Sequence, residues 1–529
     1  MQVLQRFFRS RLLSYSILFA GILLRLKLYL ENRSFWLDEA WLAIDISVRS
    51  IWEILGRIML APDMPVVPMG FAVVEYVIIR LWENHEYALR LFPLICGLGS
   101  LMLFYILIRI WLKPSSRFWP LVLFSFSGCL IVYASELKQY STDLLVALGL
   151  YWLYARSRDN SPSMRDFLLW CSAGFWAVFF SYPSIFILAA LGLMKMIRFV
   201  REKDWEGFRQ QGIIGVFWVF SFAFFHWSVM SSMTSDPAMV SRAVEQDFFP
   251  AWPLFPLETL AWLGRAVKGF IGNFLGLQPL WASLSLFMIG GGVLFRQNRN
   301  RFFVLVAPMV FLLVAALMHR YPFGHRFVIF AVPSVFVLMA VAIEAGVQNS
   351  RRLIRVVSYV VAGLVAVGSL RAGAFTLLDK YSHGEYRTVI RHLGERVQPG
   401  DALFLNQSAT FFYGYYYMYD APKIRSSAVT ILDDRVSCDE GLRYVLFKLA
   451  RNIHPHPRII IFVKPFGDTL ILDEKTLEVF GNNPRTWLLL AHYRPDMKDY
   501  TLSLADQAGK KVQEFKRKDA ELYLYDFSH

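Results

Sequence analysis

Two adjacent carboxylates, Asp38 and Glu39, lie in Ser34-Phe35-Trp36-Leu37-Asp38-Glu39-Ala40-Trp41, just after the first apolar run of the chain. A carboxylate within reach of a hydroxyl can take its proton, and a pair can face a divalent cation. A second group, Glu136, Lys138 and Tyr140, falls in the stretch from Tyr133 to Tyr140; a third, His319, Arg320, His325 and Arg326, follows a later apolar run. Charge at a membrane edge is costly and marks function by default. Cations there can neutralise a phosphate. The rings of Trp36, Trp41, Tyr133 and Tyr140 offer apolar faces suited to a sugar. Plainer readings stand beside these: Asp38 as the cap of the helix that follows, and His319 and Arg320 as snorkelling side chains.

The elements that must position these residues cross a membrane. The 529-residue chain is 56% hydrophobic, 16% aromatic and only 18% charged, which excludes an ordinary soluble domain. Apolar runs of about 20 residues, the length of a spanning helix, recur up to residue 372. The first leads into Leu24, Arg25 and Lys27 without a small-residue cleavage site, so it is a retained span and not a signal peptide. The net charge of +14 belongs almost wholly to this part, since residues from 380 onward hold 21 Lys and Arg against 19 Asp and Glu. No nucleic-acid-binding stripe is present. The four cysteines form no disulfide framework or zinc spacing.

Six polar turns, residues 1–11, 109–118, 155–166, 195–210, 296–301 and 349–356, together hold 20 basic and five acidic residues. The connection 31–87 has four Arg against nine acids, and 230–268 has three bases against four acids. The basic turns are expected inside and the others outside. That alternation holds only if residues 66–82 do not cross; Pro65, Pro68, Glu75 and Arg80 mark this segment as a juxtamembrane or re-entrant helix. About eleven spans result, and the last delivers residues 376–529 to the outer side. This tail reads as a soluble α/β domain, with strands over 402–405, 458–463 and 521–525 and helices over 386–397 and 441–452. Its aromatic run 411–419 suits a core or interface. His454 and His456 read as a loop and not a metal pair, and Gly290 to Gly292 as a close helix contact.

A proton acceptor, phosphate-neutralising cations and aromatic faces on one side of a membrane are what sugar transfer from a lipid phosphate requires. The ordered set of motifs also resembles the GT-C glycosyltransferases, and among them the protein O-mannosyltransferase and aminoarabinose transferase group. The resemblance rests on Leu37-Asp38-Glu39-Ala40 after the first span, Tyr87-Ala88-Leu89-Arg90-Leu91 opening the next, and Tyr133 to Tyr140, which is similar to a Tyr-Ser-Gln-Glu-Ala-Arg-Met-Tyr stretch with Lys138 where Arg is common. Relatives often carry His-Pro-Pro at the re-entrant segment, where this chain has Asp63-Met64-Pro65-Val66-Val67-Pro68.

The resemblance implies a GT-C-like catalytic membrane domain over 1–375, including the outward loop 31–87 with its juxtamembrane helices, and an extracytoplasmic α/β domain over 376–529. It implies Asp38 as catalytic base or metal-facing carboxylate with Glu39 beside it, and Mg or Mn as the candidate cation. Arg90, Glu136, Lys138, Tyr140, Arg320, His325, Arg326 and Trp36 become candidate substrate-binding residues. The expected donor is a polyprenyl-phosphate hexose or pentose and the acceptor a glycan, lipid or protein, at a bacterial inner or plasma membrane. A transporter or flippase for lipid-linked glycans is the alternative, although transporters tend to show internal repeats and none is evident here. A non-catalytic assembly factor on the same scaffold is the third reading.

Overall fold

A computed structural model describes residues 10–55, 67–157, 163–235, 241, 243–378, 384–398, 401–420, 428–431, 458–461, 484–493 and 495–528. The helix expected over 441–452, the His454/His456 pair and residues 63–66 lie outside these. The described helices, in chain order, are α1 (Arg11–Leu30), α2 (Leu37–Val48), α3 (Ile51–Leu55), α4 (Met69–Leu81), α5 (Glu86–Trp111), α6 (Phe118–Phe126), α7 (Gly128–Tyr133), α8 (Tyr140–Arg156), α9 (Met164–Phe180), α10 (Ser184–Glu202), α11 (Trp205–Ser235), α12 (Pro256–Val267), α13 (Leu280–Gln297), α14 (Arg299–Leu317), α15 (Val332–Val347), α16 (Arg352–Leu378), α17 (Tyr386–Arg396), α18 (Gln407–Asp420) and α19 (Pro495–Ala508). A π-helical turn over Lys268–Phe274 continues α12, and a 3-10 turn over His325–Ala331 leads into α15.

The chain divides into two compact units: Met1–Glu31, Val67–Phe71 and Arg90–Lys380 form one, and Asn32–Val66, Ala72–Leu89 and Tyr381–His529 the other.

The first unit is helical. Among the described residues, six segments are long and apolar enough to cross a membrane: Arg11–Leu30, Glu86–Trp111, Trp205–Phe225, Arg299–Leu317, His325–Val347 and Arg352–Phe375. The protein is thus an integral membrane protein of mainly helical class. By contrast, α4 has 13 residues, which at about 1.5 Å per residue falls short of a hydrocarbon core roughly 30 Å thick. Helix α15 is buried on every side from Val332 to Ile343, as an apolar helix at the centre of a bundle must be. A methyl group on Gly290 would strike the Leu338 carbonyl, so the glycine there lets α13 lie directly on α15.

Helices α6 and α7 are one apolar run interrupted at Ser127. The interruption frees carbonyls where water cannot reach them, and such groups must find an internal partner. The buried Arg25 guanidinium of α1 supplies it, donating to Phe124 O at 3.2 Å and Ser125 O at 3.1 Å.

Turns 109–118 and 296–301 meet at one end of this unit, beside the C-terminal ends of α8 and α15. Arg301 donates to Trp111 O at 3.2 Å, Asn300 to the Tyr154 hydroxyl at 2.9 Å, and Lys113 Nζ stands 3.8 Å from Glu344. Helix α8 runs away from that end for 17 residues, about 25 Å, so its first residue, Tyr140, is at the opposite end.

The second unit is built on a six-stranded mixed sheet of order β2-β3-β1-β4-β6-β5, with β1 (Ala402–Leu405), β2 (Ala428–Ile431), β3 (Arg458–Ile461), β4 (Arg485–Ala491), β5 (Lys510–Arg517) and β6 (Ala520–Asp526). Strand β1 runs parallel to β3 and β4, β2 runs parallel to β3, and β6 runs antiparallel to β4 and β5. The apolar run of β1 is buried throughout, as suits a central parallel strand. Asp401 anchors its start, accepting from Trp487 Nε1 at 2.8 Å and pairing with Arg485 at 2.7 Å. At the edge, β5 exposes Lys510, Lys511, Lys516 and Arg517, charges that resist further strand pairing. The aromatic run lies on α18, where Phe411, Phe412, Tyr413, Tyr415 and Tyr416 are buried. Phe412 stacks on Tyr386 of α17 at 3.6 Å, and Phe411 meets Trp41 of α2 at 4.6 Å. Core and interface are what this run forms.

Candidate functional site

The candidate residues fall into two groups, one in each unit. In the second unit, Trp36 has extended backbone and α2 begins at Leu37. Glu39 is then the third helical residue, placed to reach back to the helix start. Its Oε2 accepts from Trp36 N–H at 3.3 Å, and the side chain is fully buried. Glu39 therefore makes the cap bond that a plain reading gives to Asp38, while Asp38 is half-buried. The spacing from Trp36 to Glu39 carried that signal.

The backbone leading into this turn is held by a polar network. Phe35 N–H donates to the Tyr416 hydroxyl at 2.6 Å, and that hydroxyl donates to Glu86 Oε1 at 2.8 Å. Arg387 Nε donates to the same oxygen at 2.9 Å, Arg387 Nη2 also pairs with it, and Nη2 donates to Asn32 O at 2.8 Å. Burial opposes the charge on Arg387, but Glu86 and Tyr416 outweigh it and hold its pKa above the ordinary value.

In the first unit, α7 ends at Tyr133 and α8 starts at Tyr140, and the short link between them buries Glu136 and Lys138. Ser141 Oγ ties the link by donating to Tyr133 O at 2.7 Å. A methyl group on Gly97 of α5 would strike Ala134, so the glycine admits the link against α5. Tyr133 and Tyr140 meet edge to face at 4.9 Å. The Arg326 guanidinium lies over the Tyr140 ring at 5.8 Å and over Phe327 at 5.6 Å, within cation–π range.

His325 is exposed and meets Phe274 at 6.4 Å and Phe248 at 5.8 Å. His319 Nε2 donates to Pro250 O, 2.7 Å away, and the ring stacks on Phe249. Both histidines have left-handed backbone, φ 53° at His319 and 46° at His325, a sparsely populated region for side chains other than glycine. Arg90 is buried at the start of the unit's part of α5, and Arg320 is exposed. The structure thus brings Tyr140 and Arg326 together, buries Lys138 two residues before Tyr140, and leaves Arg320 on the surface.

One residue escaped sequence reasoning. Asp143 is buried one turn after Tyr140, beside Ser181 and close to Tyr321. Its signal was an acidic residue inside an apolar run, on the same helix face as Tyr140.

Among the described residues, no three His, Cys, Asp or Glu side chains gather as a metal would need.

No protein-family model and no curated protein matches the chain. Solved structures do. ArnT from Cupriavidus metallidurans in the apo state superposes with a TM-score of 0.53 and 12% identity, covering 97% of this chain and 98% of that one. The same ArnT bound to undecaprenyl phosphate gives 0.53, with 13% identity and 97% of each chain covered. An oligosaccharyltransferase from Archaeoglobus fulgidus, in complex with Zn and sulfate, gives 0.49 at 11% identity over 92% of this chain and 69% of that chain. Over nearly its whole length, the chain has the fold of ArnT.

Proposed function

We propose that the protein is a glycosyltransferase that moves a hexose or pentose from a polyprenyl-phosphate donor to an acceptor hydroxyl of a glycan, lipid or protein at the outer face of the membrane. The observation that carries this reading is the cluster of Lys138, Tyr140 and Arg326 at the end of the helical unit opposite its basic turns. Basic turns face the cytoplasm, so the cluster faces outward at headgroup depth. A buried lysine, a half-buried arginine and aromatic rings there suit a sugar-bearing phosphate.

Asp38 takes the proton of the acceptor hydroxyl. The acceptor oxygen forms the new bond to the anomeric carbon as the bond from that carbon to the phosphate oxygen breaks. The electron pair leaves with the polyprenyl phosphate, whose growing charge Arg326 and Lys138 neutralise. Glu39 shapes the turn that carries Asp38; Trp36 and Tyr140 offer ring faces to the sugar, and Glu136, Arg90, Arg320 and His325 complete the substrate contacts. A Mg or Mn ion would be held by Asp38 and Glu39, the candidate carboxylates, and would add positive charge beside the reacting groups.

In this reading residues 1–375 are the catalytic membrane domain, with about eleven spans and the outward loop 31–87, and 376–529 form an extracytoplasmic domain of a bacterial inner or plasma membrane protein. The test is purified protein in nanodiscs with a panel of undecaprenyl-phosphate hexoses and pentoses and host membrane extract as acceptor. Release of undecaprenyl phosphate with labelled acceptor supports transfer. Movement of the intact donor across vesicles without its cleavage would make the protein a flippase, and neither activity would make it an assembly factor.

A further inference from the structure

We infer that Tyr416, Glu86 and Arg387 form a clamp by which the C-terminal part of the chain fixes the backbone leading into Asp38, so that these three act as positioning residues for the transfer. The inference rests on the reading of Asp38 as the base. Residues 32–36 are irregular backbone, a kind of segment that ordinarily moves and is solvated. Here it is tied at successive points. Asn32 O accepts from Arg387, Ser34 Oγ accepts from Arg387 N–H at 3.4 Å, and Phe35 N–H donates to Tyr416. The Phe35 ring is fully buried, 4.9 Å from Tyr415 and 6.5 Å from Tyr416.

Helix α2 itself is held along its length by the same partners. Trp41 packs on Phe411. Further on, Ser47 Oγ accepts from Asn84 Nδ2 at 2.5 Å, and Asn84 Oδ1 accepts from the Tyr415 hydroxyl at 3.2 Å. The network converges on Glu86 Oε1, a buried anionic acceptor for both Tyr416 and Arg387. Charge-assisted bonds of this kind are shorter and stronger than neutral ones, and in a buried network each polarises the next. Asp38 stands three residues beyond the clamped Phe35 N–H. The C-terminal part is then a support of the catalytic turn as well as a domain of its own.

The Tyr416→Phe variant keeps the ring and its packing and removes only the hydroxyl. It leaves the Phe35 N–H buried without an acceptor, which should speed amide exchange over residues 32–40 about tenfold or more. A base loosened by about 1 Å loses on the order of 10²-fold in rate, so kcat should fall about 10- to 100-fold while the KM for an undecaprenyl-phosphate sugar stays unchanged. Hydrogen exchange by mass spectrometry on the full chain in nanodiscs reads the first effect, with β1 and β6 as controls for an intact fold. Glu86→Gln, which keeps an acceptor for Tyr416 but loses the charge opposite Arg387, should show a smaller loss of the same kind. Unchanged kcat in Tyr416→Phe, whatever its exchange, overturns the clamp, as does equal disturbance of β1 and β6 in both variants. Asp38→Asn in parallel separates the two failures: full turnover there removes Asp38 and with it the role of the clamp, whereas an inactive Asp38→Asn beside an unaltered Tyr416→Phe removes the clamp alone.

Discussion

Arg326 is the cation to which the phosphate is assigned, and its guanidinium rests between the faces of Tyr140 and Phe327. Replacing it with Gln should weaken binding of undecaprenyl phosphate about 10- to 100-fold, the usual range for one charge-assisted hydrogen bond. Arg326→Lys should recover only part of this, because an ammonium lacks the planar fork. Native mass spectrometry of the nanodisc-extracted protein with added lipid would read the difference, and equal binding by Arg326→Gln would remove Arg326 from the phosphate. The residue types of this cluster were legible in sequence because charged groups beside apolar runs stand out. Which carboxylate of the Asp38–Glu39 pair reaches back to Trp36 N–H was harder to see. That depends on the helix starting at Leu37, which puts Glu39 and not Asp38 in reach of Trp36 N–H.

Helices and strands were legible where their own residues carried the signal. The strand over 402–405 and the helix starting at Tyr386 agree with the structure, and the run from Glu521 to Tyr525 lies inside β6. Strand β5 gave no such signal, since Lys510, Lys511, Glu514, Lys516 and Arg517 leave little apolar alternation; its strand character comes from pairing with β6. Helix α19 is held to β6 through Lys498, whose Nζ reaches Glu521 Oε1 at 3.1 Å. Burial alone would raise the Glu521 carboxyl, but hydrogen bonds from Tyr493, Tyr523 and Lys498 hold it below the ordinary range. A depressed carboxylate stabilises the fold above the ordinary carboxylate range and loses that contribution as pH falls through its lowered value. Exchange in β6, corrected for intrinsic rates, should therefore be faster in Glu521→Gln than in the native chain at neutral pH, and the two should converge as pH falls through and below that lowered value. A gap that stays constant to low pH would contradict this.

The packing of residues 32–48 on α18 was not legible. Phe35 and Trp41 meet partners more than 350 positions away, and no local periodicity encodes such a pairing. Charge asymmetry acts over whole loops, and the contacts among Lys113, Glu344, Arg301 and Trp111 bring two of the basic turns to one end of the helical unit. In a background without native cysteines, Ser115→Cys and Ser528→Cys should label from opposite faces of sealed vesicles, the latter from outside; labelling of both from one side would contradict the eleven-span arrangement. Single-turnover release of undecaprenyl phosphate from its sugar-linked form, native chain against Asp38→Asn, bears most directly on the transfer itself. A fall of about 10²- to 10⁴-fold with donor binding unchanged is predicted for loss of a positioned base, and native-rate release by a correctly folded Asp38→Asn would contradict it.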